Sequence, residues 1–223
     1  MKRRLDFYYD LLSPYAHVVL ARLPELPADV TVRPRAILFG AVLAHHGQLG
    51  PAEIEAKRLH TYRQAVFLGV TLGRATMFPP RHPFNPLAAL RLLAGAHDGA
   101  GADLETVRGA FDFVFSQGHP VDTPEGVAAL AERLDLDPAL ATAEASKAAL
   151  RANTEDAVAD GVFGVPSFVP HDSGGVAGPV FWGVDAFDML LAFLDDPTIF
   201  ERPPYAALNQ IEIGVRREKA NRA

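Results

Sequence analysis

The segment Leu5-Asp6-Phe7-Tyr8-Tyr9-Asp10-Leu11-Leu12-Ser13-Pro14-Tyr15-Ala16 opens as a strand and closes as a helix. Residues 4–9 alternate loosely and are rich in aromatic side chains, which suit a pleated, half-buried surface. Ser13 stands where a helix N-cap is expected. Pro14 follows at the first helical position, where its missing N–H leaves nothing unpaired. Val18, Val19, Leu20 and Leu23 give that helix an apolar face, and Pro24 to Pro27 end it. Residues 29–38 read as a second strand, in which Pro34 points to an edge position or a bulge because it cannot donate to a ladder. The chain therefore opens β-α-β.

Working outward, residues 40–160 are rich in alanine and leucine and sparse in β-branched side chains, as helices are. Helices are expected from Pro51 to Leu68, Leu87 to Ala96, Asp103 to Phe115, Pro124 to Leu134, Pro138 to Ala143 and Ser146 to Asp160. A proline-rich break, residues 78–86, interrupts them. Strands return at Pro166-Ser167-Phe168-Val169-Pro170 and Val180-Phe181-Trp182, joined by a turn rich in Gly, Asp and Ser, and an apolar helix runs from Asp185 to Leu194. The order βαβ, helical block, ββα is that of an α/β thioredoxin-like fold with a large all-helical insertion. Residues 1–40 and 161–196 would form the discontinuous thioredoxin-like domain and 41–160 the inserted helical domain. Residues 197–223, with Pro203-Pro204 and the basic end Arg216-Arg217-Glu218-Lys219, would form a C-terminal extension, an extended arm or a partly disordered tail.

The 223 residues suffice for one domain with a sizeable core, and 49% hydrophobic and 22% charged residues are ordinary for a globular chain. A net charge of −6 gives no basic face for nucleic acid. Met1-Lys2-Arg3-Arg4 resembles a signal start, yet Asp6 and Asp10 interrupt the apolar run that a signal needs. No apolar stretch has the length of a membrane span. A cytoplasmic protein with no membrane or nucleic-acid partner is expected. The adjacent His45-His46 cannot share one helix face, no His-x-x-x-His or Asp cluster accompanies them, and no metal is expected. Gly99-Ala100-Gly101 follows a helix and lacks a third glycine at Leu104, so it is no nucleotide loop.

The strand–turn–helix of a thioredoxin-like fold carries the reactive sulfur at the position of Ser13, and this chain contains no cysteine. Thiol–disulfide exchange is thereby excluded, and any thiol chemistry must use a thiol brought in by a ligand. Ser13 reads first as an N-cap. The same geometry lets its hydroxyl donate to a ligand thiolate, which a helix N-terminus also stabilises. Val165-Pro166, opening a late strand, falls where such folds carry a cis-proline, and a cis bond is expected there. It would turn the Val165 N–H and C=O outward to pair with a peptide-like ligand as an added strand does.

Five blocks resemble, in order, the 2-hydroxychromene-2-carboxylate isomerase family, a DsbA-like branch related to kappa-class glutathione transferases. They are residues 7–16, Gly50 to Arg58, His82 to Arg91, Gly161 to Phe168, and Phe181 to Asp185. Together they span roughly residues 4–195.

The resemblance implies a glutathione-dependent isomerase, a homodimer acting on a small aromatic substrate, with the sulfur of glutathione near Ser13 as the catalytic residue. Val165, Pro166, Val184, Asp185 and Lys57 would hold glutathione, Asp185 meeting its γ-glutamyl end. Tyr15, Asn85 and Arg91 would face the substrate. Each has a plainer reading too: Asp185 as a helix cap, Lys57 as a solvated lysine, Asn85 as a turn residue, Arg91 as a surface ion pair. Tyr8, Tyr9, Tyr15 and Trp182 read as core or pocket wall. The family's usual arginine after the aspartate is Ala186 here, which puts contacts made by that arginine in doubt. The apolar run Ala65 to Arg74 departs from the family's more polar stretch and marks a different acceptor or a dimer face. A kappa-like transferase or peroxidase, and a non-catalytic thioredoxin-fold binding module, remain the alternatives.

Overall fold

A computed structural model describes residues 3–215. Two compact units divide the chain, Met1–Phe187 and Asp188–Ala223. In the first, β1 (Arg3–Tyr9) pairs in parallel with β2 (Val30–Ala36) and antiparallel with β3 (Ser167–His171), and β3 pairs antiparallel with β4 (Phe181–Trp182). The order β2-β1-β3-β4 puts β2 at an edge, the position expected from Pro34, which lies opposite Phe7.

Because β1 is central, both of its faces are buried, and its sequence is a continuous run of large side chains. On one face Phe7 stacks on Phe168 at 4.9 Å and Tyr9 meets Phe111 edge-on at 5.7 Å. On the other, Tyr8 packs with Ile37, Val42, Ala157, Val162, Val165 and Val169. Each such fully buried aromatic or branched side chain stabilises the fold by about 1.5–3 kcal/mol. Asp6 is also fully buried, and Arg4, Arg33, Arg35 and His171 converge on its carboxylate, with Arg33 Nη2 at 2.5 Å. Asp6, Asp160 and His171 bring three possible metal-ligand atoms within 4.8 Å of one another. The three guanidinium groups already neutralise Asp6, so this is an ion-pair network.

The helices are α1 (Pro14–Val19), α2 (Phe39–His46), α3 (Glu55–Thr71), α4 (Leu87–Gly95), α5 (Leu104–Phe111), α6 (Pro124–Arg133) and α7 (Glu144–Ala159). Several expected boundaries shift for local reasons. The helix expected from Pro51 begins only at Glu55: Glu53 accepts the Gly50 N–H and closes a separate 3₁₀ turn, Pro51–Glu53, and Ile54 is extended. The helix expected over 103–115 is α-helical to Phe111 and then widens into a π turn, Asp112–Ser116. Pro138–Ala141 is a 3₁₀ turn, and α7 starts two residues earlier than expected. Asp103 and Thr123 cap α5 and α6 through the Thr106 and Gly126 N–H groups.

The closing helix, α8 (Phe187–Asp195), leads into the second unit. There the expected arm is instead folded into two 3₁₀ turns, Ile199–Glu201 and Tyr205–Gln210. Phe200 stacks on Phe193 and meets Tyr205 edge-on, and Arg202 pairs with Asp196. The basic run from Arg216 lies outside the described residues. No helix among the described residues is long and apolar enough to cross a membrane.

Candidate functional site

β1 delivers the chain into a tight turn, in which the Ser13 N–H donates to the Asp10 carbonyl at 2.9 Å, and then into α1. Ser13 has the extended backbone of an N-cap, and its Oγ accepts the Ala16 N–H at 3.2 Å. The same hydroxyl donates to the Val165 carbonyl at 3.3 Å. Residues 152 positions apart in sequence, one from each half of the fold, thus meet. The Val165–Pro166 bond is cis, as expected from the sequence. The Val165 carbonyl is occupied by Ser13, whereas the Val165 N–H has no partner among the described residues. Pro166 in turn accepts the Gly183 N–H at 2.9 Å.

Two side chains that sequence reasoning passed over hold this turn. The Asp10 carboxylate accepts the Leu12 N–H at 2.8 Å and the Phe39 N–H at 2.9 Å. Nε2 of His82 lies 2.8 Å from the Leu12 carbonyl. A carbonyl only accepts, so Nε2 carries the proton. Burial holds the His82 imidazole below its ordinary pKa, which keeps it neutral in that role. The signal for Asp10 was a carboxylate directly after five buried positions. His82 lies in the proline-rich block but gave no signal by itself.

Tyr15, half-buried, donates its phenol proton to Gln64 of α3 at 2.7 Å. Its phenol is pushed up by burial first and in smaller part by the Asp185 charge. Asp185 is exposed, and its Oδ1 lies so close over Gly183 that a Cβ there would stand 2.5 Å from it. Val184 beside it is buried. Lys57, Thr61 and Gln64 repeat at i, i+4 and i+7, which is one helix face. Lys57 therefore shares the face of α3 that meets Tyr15, about 10 Å along the axis from Gln64, and it is exposed. Trp182 is 48% exposed, lies against the Gly164 backbone and meets Phe163 edge-on at 5.3 Å. The two rings wall the loop that leads to Val165.

The fold thus brings Ser13, Tyr15, Val165 and Pro166 to one edge, with Asp185 two residues beyond the Gly183 N–H that pairs with Pro166, while Lys57 is an exposed residue farther along α3. Two of the expected substrate residues have other places. Asn85 uses its side-chain oxygen to accept the Leu87 N–H at 3.1 Å, the geometry of a turn residue opening α4. Arg91 lines a separate cavity of about 800 Å³ with Leu38, Leu87, Glu144, Lys147 and Arg151, and neither Ser13 nor Val165 borders it.

The profile of the DSBA-like thioredoxin domain matches residues 4–195. A 2-hydroxychromene-2-carboxylate isomerase of Pseudomonas putida is 27% identical over 198 residues, which cover 83% of this chain and 91% of that one. Glutathione S-transferase kappa 2 of Caenorhabditis elegans is 22% identical over 210 residues, covering 88% and 93%. Among solved structures, a 2-hydroxychromene-2-carboxylate isomerase has a TM-score of 0.71 at 24% identity, over 86% of this chain and 94% of that one. A probable DsbA oxidoreductase from Streptomyces coelicolor has a TM-score of 0.63 at 18% identity, over 85% and 88%. These two structures bear on the fold alone. The resemblance carried by the five sequence blocks is thus found again in whole-chain comparison, and with residues 4–195 matched, the chain belongs to the DSBA-like thioredoxin domain family.

Proposed function

We propose that this protein is a glutathione-dependent cis–trans isomerase of a 2-hydroxychromene-2-carboxylate-like aromatic compound. The observation that carries the reading is the 3.3 Å contact between the Ser13 hydroxyl and the Val165 carbonyl. It sets a hydroxyl, in a chain without cysteine, on the edge where a peptide-like ligand pairs. Glutathione supplies a sulfur nucleophile that adds reversibly to a conjugated carbon, so that a double bond becomes single, rotates and is restored on elimination. Ser13 donates a hydrogen bond to that sulfur and favours its thiolate form. The unpaired Val165 N–H takes a carbonyl of the glutathione backbone. Asp185 pairs with the γ-glutamyl ammonium, and Lys57 meets a carboxylate. Serine forms no mixed disulfide, which leaves the bound sulfur free for carbon chemistry.

A kappa-like transferase is the second reading, favoured by relatives of that name at 22% and 25% identity. It uses the same site and releases the thioether instead of eliminating it. Calorimetric titration with glutathione tests both readings. Saturable binding to the native chain, weakened at least tenfold in Asp185→Ala, with the pKa of the bound thiol raised in Ser13→Ala, is expected. Absence of binding at millimolar glutathione overturns both. Turnover of chromene carboxylates against electrophilic transferase substrates then separates them.

A further inference from the structure

Asp10 directly follows the central strand β1 and is 1% exposed. Buried carboxylates are normally paired with a cation, and no cation is in hydrogen-bond or ion-pair contact with this one among the described residues. Arg35 of β2 turns to Asp6 and Asp156, His46 of α2 reaches the Val162 carbonyl, and His17 of α1 reaches the Ala75 carbonyl. The titratable neighbour that feels the Asp10 charge is the Tyr9 phenol, itself pushed far up by burial. In place of a cation, Asp10 has backbone donors. One oxygen accepts from Leu12, within the turn that ends on Ser13, and the other accepts from Phe39, the first residue of α2.

We propose that Asp10 is the positioning residue of the site: its ionised carboxylate locks the Leu11–Ser13 turn to the start of α2, and its protonation loosens that lock. A neutral carboxyl must place an O–H on one of two oxygens that both accept from N–H donors, and the protonated oxygen is the poorer acceptor, so one of the two bonds is weakened. The turn then loses its tie either at Leu12, one residue from the hydroxyl, or at Phe39. Burial pushes the Asp10 carboxyl up to about 7, with the two N–H groups pulling it partway back, so the change falls in the neutral range. The effect on ligand rests on the proposed glutathione reading; the lock itself belongs to the chain alone.

The test therefore has two arms. In the first, without ligand, the Leu12 and Phe39 amide resonances are followed by NMR from pH 5 to 9. Both are expected to move with one common midpoint near neutrality in the native chain, and to stay still in Asp10→Asn. Amides that titrate separately, or that stay still across this range as beside an ordinary carboxyl with a pKa of about 4, overturn the proposal, and this needs no variant to fold. In the second arm, S-methylglutathione, whose sulfur has no proton, is titrated calorimetrically. Affinity for the native chain is expected to fall several-fold from pH 8 to 6. Asp10→Asn is expected to bind at least tenfold more weakly at pH 8 with a flat pH profile, while its melting midpoint is unchanged or higher. A merely structural role would lower melting point and affinity together, and native-like binding by a folded Asp10→Asn would sink the lock. Native protein that shows the coupled amides but binds no glutathione or S-methylglutathione rejects the glutathione reading and leaves the lock standing.

Discussion

Gly164→Ala puts one methyl group where the structure has room for none. The added Cβ would stand 2.3 Å from Nε1, 2.8 Å from Cε2 and 2.9 Å from Cδ1 of Trp182. Restoring an ordinary contact of about 3.5 Å requires the indole to retreat by about 1.2 Å. Phe163 closes one side of that path, while the 48% exposure of Trp182 leaves another open to solvent. Overpacking costs about 1–3 kcal/mol. The open side places this substitution at the low end, about 1 kcal/mol, and for a chain of this length that lowers the melting midpoint by about 2–4 °C. Trp182 is the sole tryptophan of the chain, so its emission reports the displacement directly, and a red shift is expected as the ring moves toward water. Gly40→Ala in α2, with nothing within 4 Å of the new carbon, serves as control and is expected to gain about 0.5 kcal/mol. A Gly164→Ala variant with unchanged emission and unchanged melting midpoint would show that the indole does not rest on the Gly164 backbone, and the wall it forms beside Val165 would have to be redrawn.

Ser13→Ala removes both the acceptor for the Ala16 N–H and the donor to Val165, and urea unfolding is expected to show a loss of about 1 kcal/mol; no loss would mean that neither bond stabilises the fold. Asp6→Ala strips the shared partner from Arg4, Arg33, Arg35 and His171 and is expected to cost about 3–5 kcal/mol by the same assay. Asp29→Ala, which breaks only an exposed pair with Arg3, is expected to leave the urea midpoint unmoved. Two buried groups set opposite pH slopes. Burial, then Arg74, holds His17 down to about 4, so its contribution is complete above about pH 6.5 and is lost as pH falls toward 4. Asp10, raised to about 7, does the reverse: its contribution is complete below about pH 4 and is lost as pH rises through 7. Asp10→Asn leaves the His17 slope unopposed, and urea midpoints at pH 4.5, 5.5 and 6.5 are expected to show stability rising by about 1.4 kcal/mol per pH unit relative to the native profile.

The fold was legible because its punctuation is strong. Ser13-Pro14, the aromatic strand before it and Val165-Pro166 each restrict the backbone locally, and together they leave one order of elements. The site was legible only where the backbone itself carries it. Ser13 and Val165 meet because β1 and β3 are neighbours, so strand order alone brings them close. Asp6 was not legible, since a carboxylate in a strand reads as a break or an outward position, and Asp10, directly after the strand, showed its place but not its partners. What makes each tolerable is distant in sequence: the Phe39 N–H for Asp10, and Arg33, Arg35 and His171 for Asp6. Arg91 and Asn85 were carried by likeness of sequence, and their side chains answer to nearer demands, a separate cavity and the start of α4. The split of the long helices at Ile54 and Asp112 was invisible to periodicity, because the Glu53–Gly50 contact and a widened turn change the backbone without a break in composition.

A hydroxyl has one proton to give, and in this structure Ser13 gives it to Val165. On the proposed glutathione reading, the ligand sulfur takes that proton over, and the Val165 carbonyl then needs a new donor. An amide N–H of the same ligand is the natural replacement. Docking would thus be an exchange in which the count of hydrogen bonds is kept and their partners change. A ligand with a sulfur but no amide would strand the carbonyl, and one that brings both would leave every partner satisfied. Discrimination for a thiol built on a peptide backbone would follow from the arithmetic of a single proton, before any side chain of the pocket wall is consulted.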